Sequence, residues 1–301
     1  MKSDLKRVGI IAATFTGFFI LAFIVFYTFR DANRNKAYLA SKDNMSTPIM
    51  SLTPFSQVTI QTPTSTPALT EKLFGPFDWV PDGNKNYTLT RVGKKVEVLE
   101  EARAHNVKAF IALTGSRWRY TNNNGCFDLQ MWKDELDRQD LAGIQPFIDD
   151  GTVIGLYAID EPNDWDCGPS YEELNEVCLY AHQRLPGIAC GFNEKPAWLA
   201  SGSDKLEELD YLFVQTNFNR VQDWSAWAQE KLDEAAWFDG PVYLSINAYT
   251  GNPSAKQIEN AAIALCQSNA TGVMLWKWDY IQDYDLSLAI SSCAGIRHVP
   301  E

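Results

Sequence analysis

The chain has 301 residues, ten of them Trp, and a formal net charge of −12. That length accommodates a membrane segment and one domain of roughly 200 residues or more with a real core. The charge is uneven: residues 1–36 carry six basic and two acidic side chains, whereas residues 71–301 carry 19 basic and 35 acidic ones. A domain so acidic is repelled by nucleic-acid phosphates, which excludes a nucleic-acid partner and suits a neutral one such as an uncharged sugar.

Val8 to Phe29 is an apolar run of 22 residues without a charge. At about 1.5 Å per residue it spans a hydrocarbon core of about 30 Å. A cleaved signal peptide has an apolar region of about 7–15 residues followed by small residues. This run is longer, and Arg30-Asp31-Ala32-Asn33-Arg34 follows it. The expectation is an uncleaved signal-anchor helix over 8–29, with residues 1–7 as a cytoplasmic tail and the rest extracytoplasmic at the cell membrane. Residues 30–72 form a Ser/Thr/Pro-rich linker, clearest at Thr62-Pro63-Thr64-Ser65-Thr66-Pro67. Such a composition builds no core and favours extended chain.

From Leu73 strand-like and helix-like runs alternate. Phe77 to Val80 reads as a first strand and Arg91 to His105 as a helix, with Val92, Val96 and Leu99 on one face. Val107–Leu113 is a strand, Leu129–Phe147 a helix, and Thr152–Ile159 a strand that runs into Asp160-Glu161-Pro162. A helix over Tyr171–Arg184 and a strand over Ile188–Phe192 follow. Next come strands at Leu212–Gln215, Val242–Ile246 and Gly272–Trp278, interleaved with helices over Asp223–Trp237 and Ser254–Gln267, and a weaker helix closes the chain. Seven strands are visible; an eighth is not. Alternation at this spacing means parallel strands. No Gly-rich phosphate loop follows the first strand, and polar or aromatic residues recur at nearly every strand tip, as at the mouth of a barrel. The fold class is therefore α/β, a TIM (β/α)8-type barrel over residues 73–301.

Six cysteines, at 126, 167, 178, 190, 266 and 293, lie in this domain. An even number beyond a membrane anchor points to disulfides, and fifteen pairings are open. The near-sequence set is Cys178–Cys190 and Cys266–Cys293, leaving Cys126–Cys167 between two strand-tip loops.

The chemistry concentrates at Asp160-Glu161-Pro162. Proline stops the ladder and leaves two carboxylates at the strand's C-terminal tip. Tyr157 shares that strand and Trp165 follows in the loop. A carboxyl beside aromatic rings is desolvated, which raises its pKa toward that of a usable general acid. With three His and no HExxH, CxxC, GxSxG or P-loop motif, neither a histidine metal centre nor a Ser-His-Asp triad is expected; no metal and no cofactor is called for.

The segment GLYAIDEP resembles the strand end of TIM-barrel glycoside hydrolases, where an aromatic-rich strand ends in Asp-Glu-Pro or Asn-Glu-Pro. GVMLWKWDY is similar to the aromatic penultimate strand of such barrels. The resemblance implies Glu161 as general acid/base and Asp160 as a neighbour that orients substrate or tunes it. In the large retaining clan of that kind the acid/base Glu ends the fourth strand and the nucleophilic Glu the seventh. Counted along the visible strands Glu161 ends the third, and the second carboxylate is Asp279 first and Glu194 second. Trp118, Trp165, Trp198, Trp276 and Trp278 are candidate sugar platforms. Arg117 and Arg119 either pair with the acids or bind an anionic sugar, and Gln215, Asn217 and Asn247 are candidate hydroxyl binders. Trp132, Trp227 and Trp237 read as packing residues within helices. The expected function is hydrolysis of an oligo- or polysaccharide. Its alternatives are a carbohydrate-binding barrel that does not cut, and a structural part of an envelope assembly.

Overall fold

Eight short runs of apolar and aromatic residues pair side by side, all in parallel. They are β1 (Leu73–Pro76), β2 (Leu89–Val92), β3 (Lys108–Ile111), β4 (Val153–Asp160), β5 (Cys190–Asn193), β6 (Tyr211–Asn217), β7 (Val242–Asn247) and β8 (Gly272–Trp276). The structure is a computed structural model and describes residues 72–81, 86–93, 95–276 and 281–295. These lie in the second of two units of the chain, residues 66–301. The expected anchor at 8–29 and most of the linker at 30–72 fall outside the described residues, as do Trp278 and Asp279. Among the described residues no helix is long and apolar enough to cross a membrane.

The strand order is β1-β8-β7-β6-β5-β4-β3-β2. The ring closes between β1 and β2 through the parallel bridge Phe77–Arg91 and two backbone bonds, Asp78 N–H to Arg91 O (2.7 Å) and Thr88 N–H to Phe74 O (2.9 Å). This is the TIM barrel expected from the alternation. Helices α1 (Val96–Ala104), α2 (Leu129–Asp137), α3 (Leu141–Asp149), α4 (Tyr171–Arg184), α5 (Pro196–Ala200), α6 (Trp224–Glu234), α7 (Ala255–Gln267) and α8 (Ser287–Cys293) connect or follow the strands. Their starts are written locally. Ser170 with Glu173 and Ser254 with Gln257 form capping boxes for α4 and α7, and Asp128, Asp140 and Asp223 cap α2, α3 and α6.

The barrel interior is filled by rings. Phe77, Phe110, Tyr157, Tyr211, Phe213 and Tyr243 pack with Leu89 and Met274 in one cluster, while the opposite strand faces pack on the helices. The interior is so full that a Cβ on Gly155 of β4 would meet the Phe110 and Tyr211 rings at 2.7 Å.

Several expectations are corrected here. The first strand is Leu73–Pro76, not Phe77–Val80, and a strand, β2, occupies the start of the expected helix over Arg91–His105. With two strands before β3, Glu161 ends the fourth strand rather than the third, and GVMLW is the eighth strand rather than the penultimate one. The expected helix Leu129–Phe147 is two helices, because Asp140 accepts the Gly143 N–H and starts a new one. Trp132 is fully buried, while Trp237 lies beyond the end of α6 and packs half-buried on the core.

All three near-sequence disulfides form: Cys126–Cys167, Cys178–Cys190 and Cys266–Cys293, with Cα separations of 4.6, 5.4 and 4.8 Å. At the opposite end of the barrel from the strand tips, His182 of α4 bonds Glu208 through Nδ1 (2.9 Å) and Asp210 through Nε2 (2.8 Å). The Asp210 bond is the largest cause raising its pKa above the ordinary histidine value. A raised folded-state pKa gives stability that is complete below the unfolded value of about 6.5 and lost as pH climbs through the folded one. His182→Gln is expected to lower stability at pH 6 by roughly 1 kcal/mol, or about 2–4 °C in Tm, since the ring is partly solvated. Melting curves at pH 6 and pH 9 check this, the gap between variant and wild type closing at pH 9.

Candidate active site

β4 carries the central residues because it outlasts its neighbours. It is eight residues long, and its pairing with β5 shifts between Tyr157 and Ile159. A shift of this kind re-aims the residues beyond it. Tyr157 and Asp160 then meet: the Tyr157 hydroxyl donates to Asp160 Oδ1 (2.6 Å), and Asn193 Nδ2 of β5 donates to the same oxygen (2.8 Å).

Glu161 follows with φ 46° and ψ 55°, the left-handed region. A non-glycine residue there is uncommon, and a following proline disfavours helical backbone further. The surroundings fix it. Its N–H donates to Asn193 O (2.8 Å), its carbonyl accepts from Asp164 N–H (3.0 Å), and Pro162 is buried beneath it. Strain that is overdetermined in this way clusters at functional positions. The conformation turns the Glu161 side chain into the mouth.

There it lines a cavity of about 680 Å³. The β3 loop supplies Ser116, Arg117, Trp118, Arg119 and Tyr120, and the β4 end supplies Tyr157, Asp160, Glu161, Asp164 and Trp165. Asp78, Arg91 and Trp276 complete the rim from β1, β2 and β8. The β3 and β4 loops are joined by Cys126–Cys167 and by Phe127 N–H to Cys167 O (2.9 Å), and Tyr120 stacks on Trp165 with centroids 5.8 Å apart. Arg117 lies 5.8 Å over the Trp165 ring, and Arg119 lies 4.8 Å over Trp118. Trp118 is 67% exposed and presents a flat face to solvent.

Partial burial of the carboxyl in the mouth pushes the Glu161 pKa up to about 7, with the Asp160, Asp164 and Glu194 charges adding and Lys195 opposing. The residue as a whole is exposed, so the carboxyl stands open to a ligand. Among the described residues no group of three or more His, Cys, Asp or Glu is disposed to hold a metal ion.

Eight residues expected from the sequence thus share one cavity: Tyr157, Asp160, Glu161, Arg117, Trp118, Arg119, Trp165 and Trp276. Of the other expected residues, the described ones are not among the cavity lining. Glu194 is buried, with its oxygens accepting the Asn163 and Lys195 N–H groups, both at 2.7 Å. Burial leads in raising its pKa, against those two bonds. It latches the β5 end to the β4 loop. Trp198 sits on α5 and packs against Tyr171 of α4 at 4.7 Å. Gln215, Asn217 and Asn247 end β6 and β7, outside the cavity lining. Asp78, Arg91, Tyr120 and Asp164 were not expected. For Arg91 the signal was there: Leu89-Thr90-Arg91-Val92 is a short β-favouring run stopped by Gly93.

A parallel eight-stranded barrel ringed by helices, with a carboxylate at the tip of β4, is a TIM barrel. The fold is similar to that of the endo-β-1,4-mannanase from Thermotoga petrophila, 12% identical with a TM-score of 0.53 over 77% of this chain and 79% of that one. It is also similar to the GH10 xylanase of Thermobacillus composti (10%, TM-score 0.50, 75% and 97%) and to a psychrophilic GH10 endo-β-1,4-xylanase (11%, 0.51, 74% and 96%). At such identities the likeness is one of fold. No protein-family model matches the chain. No curated protein matches it either.

Proposed function

We propose that the protein is a glycoside hydrolase acting on an oligo- or polysaccharide, with Glu161 as its general acid. The observation that carries this reading is Glu161 itself. It is a strained, partly buried carboxyl whose pKa of about 7 keeps a proton available at neutrality, at the tip of β4, inside a cavity walled by aromatic rings. A glycosidic oxygen needs such a donor as its bond to the anomeric carbon breaks. Asp160, held by Tyr157 and Asn193, stands beside Glu161 and is among the causes of its raised pKa. Trp118 and Trp165 offer faces to the apolar sides of sugar rings.

The Thermotoga and Thermobacillus neighbours are a mannanase and a xylanase by name, which makes β-1,4-mannan and β-1,4-xylan the first substrates to try. Release of new reducing ends by the full chain tests the reading, and its absence across a panel of polymers overturns it. One observation favours a second reading, a barrel that binds glycan without cutting. β7, the strand on which the resemblance places a nucleophile, ends in Asn247. Retention of polymer with no reducing ends released is its signature. The apolar run over 8–29 and the paired cysteines support the reading of a membrane-anchored protein with its barrel on the extracytoplasmic side.

Trp118→Ala is expected to raise KM for a polymer about fivefold with kcat little changed, the loss of one ring contact of about 1 kcal/mol. Initial-rate kinetics on polymer and on a short aryl glycoside check it, the short substrate being indifferent.

A further inference from the structure

Three arginines line the cavity: Arg91, Arg117 and Arg119. Their charges are not equally committed. Arg91 Nη1 pairs with Asp78 Oδ1 (2.9 Å). Arg119 Nη1 pairs with Oε2 of Glu135 on α2 (3.5 Å), a buried carboxylate that also takes Arg138. Arg117 has no carboxylate partner among the described residues. The acids that share its cavity are engaged elsewhere. Asp160 Oδ1 accepts from Tyr157 and Asn193, and Asp164 accepts from Lys195 Nζ (3.3 Å).

Arg117 is nevertheless held in place. Gly115, at φ 73°, lets the chain turn into a single 3-10 turn over Arg117–Arg119. Arg119 N–H closes that turn on Ser116 O (3.0 Å) and Tyr120 N–H on Arg117 O (3.1 Å). The guanidinium then lies 5.8 Å over the Trp165 ring. A planar fork laid on an aromatic face keeps its N–H edge for a ligand.

We propose that Arg117 is a specificity-determining residue, binding the carboxylate of a hexuronic acid carried on an otherwise neutral polysaccharide. The inference rests on the hydrolase reading above and names a substrate class for the same mouth.

Two physical arguments narrow the ligand. A guanidinium fork meets a planar carboxylate with two parallel N–H···O bonds. One uncommitted cation among acids balances one negative charge, whereas a phosphate dianion would leave charge facing Asp78, Asp160 and Asp164. The second argument is long-range. Residues 71–301 carry 35 acidic against 19 basic side chains. A densely charged polyuronate is repelled by that field. An isolated uronic acid on a neutral chain meets mainly its local partner, because screening confines the rest to about 10 Å.

The test uses the full chain and paired polymers: glucuronoxylan, gum arabic, hyaluronan and polygalacturonan, each beside the same polymer with its carboxyls reduced to primary alcohols. Release of reducing ends and retardation in gels carrying each polymer are both read. At least one sparsely charged polymer is expected to be cut about tenfold faster, as kcat/KM, than its reduced counterpart. That preference should exceed any for polygalacturonan and should shrink at about 1 M salt. Arg117→Gln, its fold verified by a melting curve, should abolish the preference. Arg117→Lys, which keeps the charge and loses the fork, should restore only part of it. Equal cutting and equal retardation within every pair overturns the proposal and leaves the hydrolase reading standing. So does a preference that survives in Arg117→Gln, or stronger retardation by a lightly sulfated xylan than by any uronate. If no polymer is cut, the hydrolase reading falls. Retardation by native but not reduced polymer, lost in Arg117→Gln, then still supports the carboxylate site.

Discussion

Glu161→Gln is expected to leave the barrel folded and to lower kcat on polymer by about 10²–10⁴-fold, the usual contribution of a general acid. The loss should shrink for a dinitrophenyl glycoside, whose leaving group departs without a proton. The pH profile supplies an independent reading. A general acid works in its protonated form, so wild-type kcat should fall as pH rises through about 7, where Glu161 gives up its proton, and the variant should lack that limb. Stability moves in the opposite sense from that of a salt-bridged acid. With a folded-state pKa above the ordinary glutamate value of 4.5, the folded chain holds a proton that the unfolded chain has released, and stability declines as pH rises between the two values. Glu161→Gln removes that decline. Glu161→Gly also removes the left-handed strain, which is worth about 1 kcal/mol or more, so it should melt higher than wild type while being inactive.

The second large effect is expected from Cys126→Ser with Cys167→Ser. Chain entropy assigns about 4 kcal/mol to a loop closed over 41 residues. By the same relation the 12-residue closure of Cys178–Cys190 is worth about 3 kcal/mol. The functional consequence differs more than the energetic one. Cys126–Cys167 ties the β3 loop, which bears Arg117 and Trp118, to the β4 loop, which bears Trp165. Without it the Tyr120–Trp165 stack, the Phe127 N–H to Cys167 O bond and the Arg117 contact with Trp165 are left to hold those walls together. Denaturant unfolding should show the lost stability, and kinetics should show KM rising in the Cys126/Cys167 variant but not in one lacking Cys178–Cys190.

β3 to β8 are legible in the sequence because each is a β-favouring run bounded by turn or helix signals. β2 is not, for an identifiable reason. Val92, Val96 and Leu99 recur at helical spacing, and that period ran backwards through Gly93 into a strand of four residues. The error put Glu161 one strand early, and with β2 in place the motif ends β4, as the glycoside hydrolase resemblance requires. In the site, the β3 and β4 tips were legible as runs of arginine, tryptophan and acid. The function of Glu194 as a latch was not, because nothing in Asn193-Glu194-Lys195 tells that its oxygens are taken by backbone N–H groups from two loops. Arg91 was hidden by the same misplaced helix, and Asp78 by its place inside the expected strand Phe77–Val80 rather than beyond the end of β1.

The ring of strands is unevenly knit. Neighbours such as β6 and β7 are paired in register over six residues, from Leu212–Val242 to Asn217–Asn247, whereas β1 and β2 meet at the single bridge Phe77–Arg91. Local opening favours the joint with the fewest bonds. Amide exchange at Asp78 and Thr88, whose N–H groups span this joint, should therefore outpace exchange within β6 and β7. Asp78 and Arg91 sit directly above it, so the wall of the cavity facing β4 is mounted on the part of the barrel that breathes first, and a bound sugar bridging the two walls would slow that breathing.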